Sequence, residues 1–299
     1  MQIHTLDLGY QGRSQTIASY LVIGRGGPVL VETGPGSTLA TCLAGLAAHG
    51  LAPADVRHVL VTHIHLDHAG AAGWWAQQGA QVYVHYLGAP HLIDPRKLLA
   101  SAGRIYGDQM ERLWGQTLPA PAERVTAVYD GDRVEVNGLV FQAVATPGHA
   151  SHHHVFQLGE IAFSGDAAGV TIPGPAFVDL PAPPPEFDLE LWQASIARQL
   201  QLPVQAIYPT HFGRVDAWRE HLGAFSSLLR EAADFIRVRF QAGQRREEIL
   251  PQYLAWHLAR AGAAGMRGPL LERYETANPH YMSVDGMLRY WRHKLGGRP

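Results

Sequence analysis

Apolar residues in the first two thirds of the chain fall into short runs of period two or into unbroken β-branched stretches. Both patterns predict strands that are buried on one face or on both. Residues 19–23 and 28–32 read as a pair of strands across a Gly-rich turn, and 56–62 and 81–85 as further strands. Residues 134–136 and 139–145, joined at Asn137-Gly138, carry the signature of a primed-turn hairpin. A second hairpin is expected from 153–158 and 161–164, followed by a short strand at 206–208. Helical spacing predicts 38–49, with Gly50 as a left-handed cap, then 69–78, 97–106 and 109–114. After 215 the pattern becomes wholly helical. Trp218, Leu222, Phe225, Leu229, Ala232, Ile236 and Phe240 form one stripe, 247–260 a second helix, and a last helix from Ser283 stops at Gly296-Gly297.

The densest chemistry lies at a predicted strand-to-helix junction, where His63, His65, Asp67 and His68 fall within six consecutive positions. Imidazole with carboxylate suits zinc, iron or manganese, and the spacing is too tight for one tetrahedral ion to use all four residues. Three further ligand types each follow a predicted strand, beside a Gly or Pro that turns the chain: His149 in TPGH, Asp166 in FSGD and His211 in YPTH. Two ions could share this set. His63, His65 and His149 would hold one, Asp67, His68 and His211 the other, and Asp166 would bridge them. Each ion then keeps an open position, as catalytic metals do.

These motifs, in this order, resemble the metallo-β-lactamase superfamily in its dinuclear hydrolase branch. The matching residues are the H-x-H-x-D-H run at 63–68, His149, Asp166, His211 and the early strand-turn VLVETG at 29–34. The resemblance implies the ligand roles given above and an α/β fold, a four-layer α/β/β/α sandwich. Glu32 departs from the aspartate usual in the family at that turn, which puts the local hydrogen bonding in question. On this reading 1–215 is the catalytic domain, with a helical insertion at 86–124, and 216–299 is a helical extension packed on it. Two divalent ions, zinc first with iron or manganese as alternatives, would hold a hydroxide between them, and Asp67 would orient it.

Composition narrows the partners. The formal net charge of −2 gives no basic field for nucleic acid, and no apolar run is long enough to span a bilayer. The lone Cys42 cannot form an internal disulfide, and the N-terminus lacks a signal-peptide pattern, so a cytoplasmic enzyme acting on a small molecule is expected. The C-terminal helices leave a homodimer open. The insertion at 86–124 follows the metal loop closely enough to roof a site, which makes His91, Asp94, Arg96 and Tyr106 candidate substrate contacts. The Pro-rich stretch 172–185 is expected to line the site as well, with Phe177 within it. No tyrosine follows Asp166 at the position the familiar acyl-homoserine lactonases use, and the tail lacks an evident glutathione-binding pattern. A small ester, lactone or thioester is therefore the expected substrate. An iron-dependent oxidoreductase such as a persulfide dioxygenase, or a phosphodiesterase, is the alternative.

Overall fold

The computed structural model describes residues 1–296; Gly297, one of the two glycines expected to stop the last helix, lies outside the described residues. The first sheet contains β1 (Gln2–Asp7), β2 (Ala18–Gly24), β3 (Gly27–Val31), β4 (His58–Leu60), β5 (Gln81–His85) and β6 (Val125–Val128), in that spatial order. It is antiparallel from β1 to β3 and parallel from β3 to β6. Four helical pieces flank this half: α1 (Leu39–Ala48), α2 (Leu66–Ala69), α3 (Ala72–Gln77) and α4 (Ala89–Ile93). The predicted insertion carries α5 (Arg96–Tyr106) and α6 (Met110–Trp114).

The second sheet holds β7 (Arg133–Val136), β8 (Leu139–Ala145), β9 (His154–Leu158), β10 (Ile161–Phe163) and β11 (Ala206–Tyr208). Only its β10–β11 pair is parallel. Asn137 and Gly138 both take positive φ, 52° and 73°, as the expected primed hairpin requires. The remaining helices are α7 (Leu189–Gln199), α8 (Trp218–Gln241), α9 (Arg246–Ala263), α10 (Pro269–Ala277) and α11 (His280–Lys294).

Strand alternation builds the layers. Tyr20, Val22, Val29, Val31 and Leu60 face Phe141, Ala143, Phe156, Phe163 and Tyr208 between the two sheets. Their neighbours Leu21, Leu30, Val59 and Val82 point outward to Cys42 and Leu46 of α1 and to Trp75 of α3. Outward residues of the second sheet, Val144 and Val155, meet Trp192, Phe225, Leu229, Tyr253 and Met287 from α7, α8, α9 and α11. The result is the four-layer α/β/β/α sandwich, with the C-terminal helices contributing to one outer layer. Each large aliphatic or aromatic side chain fully buried this way contributes roughly 1.5–3 kcal/mol.

Some elements differ from the sequence expectation for local reasons. The helix expected at 69–78 is broken at Gly70-Ala71, because the Ala71 N–H donates to Gly34 O (3.0 Å) in place of a helical acceptor. The last helix begins at His280, ahead of Ser283. β1, β6, α4, α7 and α10 are not among the expected elements. β1 and β6 are sheet edges with mostly half-buried or exposed positions, so neither shows a clean apolar run. Among the described residues no helix is long and apolar enough to cross a membrane.

Candidate metal centre

Four strands, β4, β8, β10 and β11, deliver side chains to a common edge. The loop after β4 carries His63 and His65, and α2 carries Asp67 and His68. The loops after β8, β10 and β11 carry His149, Asp166 and His211. All seven residues expected from the sequence converge there. His63 Nε2 lies 3.0 Å from His65 Nδ1 and 3.2 Å from His149 Nε2, and the latter two nitrogens are 2.9 Å apart. On the other side, His211 Nε2 is 3.4 Å from Asp67 Oδ2, and His68 Nε2 is 3.7 Å from the same oxygen. Asp166 sits between the groups: Oδ2 is 3.4 Å from His149 Nε2, while Oδ1 is 3.2 Å from His68 and 3.6 Å from His211.

The donor set fits a pair of divalent cations. His149 donates from Nδ1 to Pro181 O (2.7 Å), so its Nε2 presents a lone pair to the nitrogens of His63 and His65. Three ring nitrogens crowded at 2.9–3.2 Å cannot satisfy one another by hydrogen bonding alone. That spacing is close to the edge of a tetrahedron with bonds of 2.0–2.1 Å, about 3.3 Å. Both His68 nitrogens and Asp166 Oδ1 are buried without a hydrogen-bond partner. Burial drives the His63 ring well below the ordinary histidine range, and His65 falls to about 3, so both offer neutral nitrogens. Burial also opposes charge on His68, but Asp166, Asp67 and Glu32 around it outweigh that and hold it well above the ordinary range. Neutral nitrogens at one pole, and at the other a group of carboxylates whose field favours positive charge, are what a cation site requires.

The ligands are held from behind. His211 donates from Nδ1 to Thr16 O (2.6 Å). The Asp166 N–H donates to His153 Nε2 (3.1 Å), which leaves His153 Nδ1 to donate to Thr146 Oγ1 (2.8 Å). Gly165 has φ +51°, and a Cβ there would lie 2.5 Å from Thr62 Oγ1 and 2.6 Å from His153 Nε2. Glycine is therefore required for Asp166 to reach the site. Glu32, at φ 65°, uses Oε1 to accept from Thr62 N–H and from Thr210 Oγ1 (both 3.3 Å), with His68 Nδ1 3.5 Å away. The longer side chain thus still reaches the ligand-bearing segments at Thr62, His68 and Thr210. Of the tract His152–His154, only His153 supports a ligand in this way. His154 is buried against His85, and His152 pairs with Glu186 at 3.0 Å. Replacing His153 with alanine should weaken metal binding about 10- to 100-fold, measurable by competition with a chelator.

A cavity of about 330 Å³ opens against His65, Asp67, His149 and Asp166. Leu98, Ile105, Tyr106, Leu113 and Trp114 of the insertion form one wall, so α5 and α6 do roof the site. Pro181 and Pro183–Pro185 with Glu186 form a second wall, and Tyr281 and Met282 of α11 a third. His91 and Tyr106 line it as expected. Arg96 does not: it is exposed at the start of α5, where Asp94 takes it in an ion pair. Phe177 does not either, because its ring turns away to pack edge-on against Tyr274 and His257 in a separate buried cluster. Sequence reasoning missed Tyr10, Glu186, Tyr281 and Met282, which reach the cavity from segments without a motif.

Comparison with known proteins gives the same frame. The family model of the metallo-β-lactamase superfamily matches residues 15–211. A metallo-β-lactamase fold-containing protein of Sulfurisphaera tokodaii is 27% identical over 207 residues, 67% of this chain and 76% of that protein. A hydroxyacylglutathione hydrolase of Pseudomonas putida is 31% identical over 255 residues, 78% of this chain and 79% of its own. The atrochrysone carboxyl ACP thioesterase of Aspergillus fumigatus is 27% identical over 271 residues, 87% of this chain; the match spans only 50% of the thioesterase. Among solved structures, a metallo-β-lactamase family protein from Thermus thermophilus superposes with a TM-score of 0.71 at 21% identity, covering 99% of this chain and 95% of that one. With the ligand motifs in place within the matched span, the chain belongs to the metallo-β-lactamase superfamily.

Proposed function

We propose that the chain is a dinuclear metal-dependent hydrolase that cleaves a small ester, lactone or thioester bearing an apolar acyl group. The observation that carries this reading is the convergence of seven side chains of metal-ligand type, four of which (His65, Asp67, His149 and Asp166) line a largely apolar cavity. His63, His65 and His149 would hold one ion and Asp67, His68 and His211 the other, with Asp166 between them. Divalent metals bound there supply Lewis acidity and lower the pKa of water to about 7.

The chain's own residues do the rest. Asp67 faces the cavity and directs Oδ2 to His211 and His68, which leaves Oδ1 to orient a water molecule and accept its proton. The aromatic and aliphatic wall of α5 and α6 excludes bulk water and takes up the acyl group. Among the described residues Lys97 is the one lysine or arginine of the lining, which suits a neutral or weakly anionic substrate better than a polyanion. Two relatives, one named a hydroxyacylglutathione hydrolase and one an atrochrysone carboxyl ACP thioesterase, support this substrate class. A complete second group, Asp67, His68 and His211, favours the hydrolase over a single-iron oxidoreductase.

The test is a panel of ester, lactone, thioester and phosphodiester substrates offered to metal-depleted and zinc-reloaded protein. One carbonyl class should be turned over only after reloading; turnover of the phosphodiester alone would overturn the substrate assignment. Tyr106, which packs edge-on against Trp114 at 5.0 Å, gives a second test. Tyr106→Ala should raise KM for substrates with longer acyl chains about tenfold, from roughly 1.5 kcal/mol of lost apolar contact, and leave kcat nearly unchanged.

A further inference from the structure

A second set of metal-ligand side chains lies outside the site described above. Asp179 follows the loop that begins at Asp166, His257 belongs to α9, and His280 opens α11. All three are buried, with Asp179 and His257 each only 1% exposed. Asp179 Oδ1 is 3.4 Å from His257 Nδ1, and Oδ2 is 3.2 Å from His280 Nε2. The two imidazole rings approach to 3.8 Å between centroids. Neither nitrogen of His257 has a hydrogen-bond partner, nor does His280 Nε2. An unpartnered buried polar group costs about 1–3 kcal/mol, so His257 Nδ1 and His280 Nε2, both beside the Asp179 carboxylate without a hydrogen-bond partner, require an explanation.

We infer that Asp179, His257 and His280 form a separate zinc-binding site that ties the active-site loop to the C-terminal helices. The donor types are those of a zinc site: one carboxylate and two imidazoles, 3.2–3.4 Å apart across the carboxylate contacts. The supporting contacts also match. Glu275 accepts from His280 Nδ1, which turns Nε2 toward Asp179, and Asn278 Nδ2 donates to Asp179 Oδ2 at 2.8 Å. A carboxylate behind a ligating histidine fixes its tautomer and raises its basicity. The surroundings are otherwise largely apolar. Phe177 packs on His257, and Phe177 and Tyr274 belong to the same buried cluster. The one nearby cation is Arg260, whose guanidinium lies over the Phe177 ring at 5.2 Å.

The position gives the site a use. Asp179 is bridged through its backbone to Val170, while Asn278 also donates to Leu180 O, one residue before Pro181. Pro181 in turn supplies the carbonyl that orients His149. A zinc ion joining Asp179 to His257 and His280 would clamp α9 and α11 to the loop that backs a catalytic ligand. This inference stands on residues separate from the proposed active site and does not depend on its chemistry.

The measurement is zinc per chain by inductively coupled plasma mass spectrometry after equilibration with zinc. The unsubstituted protein should hold one equivalent more than either His257→Gln or Asp179→Asn. An equal count in all three overturns the inference. Should both variants fail to fold, a His63→Ala/His68→Ala/His149→Ala/His211→Ala chain, which strips both ligand sets of the first centre and keeps this cluster intact, decides the question. Zinc should still bind it at one equivalent and raise its Tm, as a ligand selective for the folded state does. No binding and no shift would leave the cluster an ion pair of His280 with its carboxylates. Loss of metal from the catalytic residues alone would count against the proposed hydrolase and not against this site.

Discussion

Asp166→Ala should lower hydrolysis by on the order of a thousandfold and release at least one metal ion from the catalytic pair. The carboxylate is the one group that reaches both ligand sets, through Oδ2 to His149 and Oδ1 to His68 and His211. Removing it leaves His68 facing only Asp67 and Glu32 at 3.5 Å or more. Loss of a metal's stabilisation of transition-state charge is worth several kcal/mol, and about 4 kcal/mol corresponds to the stated factor. Metal content and steady-state rates on the same preparation check this together. Full occupancy with full activity would remove Asp166 from the bridging role.

Trp192→Ala should lower stability by about 3–5 kcal/mol, the range for truncating a buried aromatic. Trp192 is fully buried on α7, contacts Phe225 and Phe187 edge-on, and donates from Nε1 to Ala167 O at 3.0 Å. It also forms the backing of the His149 loop. Gly148 has φ +130°, and a Cβ there would sit 2.3–2.4 Å from Cβ, Cα and N of Trp192, so the His149 loop runs directly against the backbone of α7. The ring centroid of His149 is 5.5 Å from that of Trp192. The variant should therefore melt about 10 °C lower and bind metal more weakly, because the cavity lies directly behind a ligand. Trp192→Phe, which keeps part of the bulk, should lose less of both. Thermal unfolding with and without zinc separates the two effects.

Much of the candidate metal centre is legible because its residues sit just past apolar strands, three of them beside a Gly or Pro. His149, Asp166 and His211 could be found from that punctuation, and the close spacing of His63, His65, Asp67 and His68 marked the fourth contribution. The layered fold followed less from periodicity than from the resemblance those motifs carry. Edge strands such as β1 offered no clear pattern, since their partly exposed positions need not be apolar. The cavity walls were only partly readable. Tyr106 and His91 followed from the insertion's place in the chain, but Arg96 turned to Asp94, and Phe177 joined the cluster around Tyr274. Glu186, Tyr281 and the Asp179–His257–His280 group arise from contacts between segments far apart in sequence, and no local spacing announces them.

The most direct test of the two-metal centre is an anomalous difference map at the zinc edge from crystals of the zinc-loaded protein. Two peaks are predicted at the catalytic site, one among His63, His65 and His149 and one among Asp67, His68 and His211, with Asp166 touching both. A single peak confined to the first three histidines, or none at all, would contradict the account.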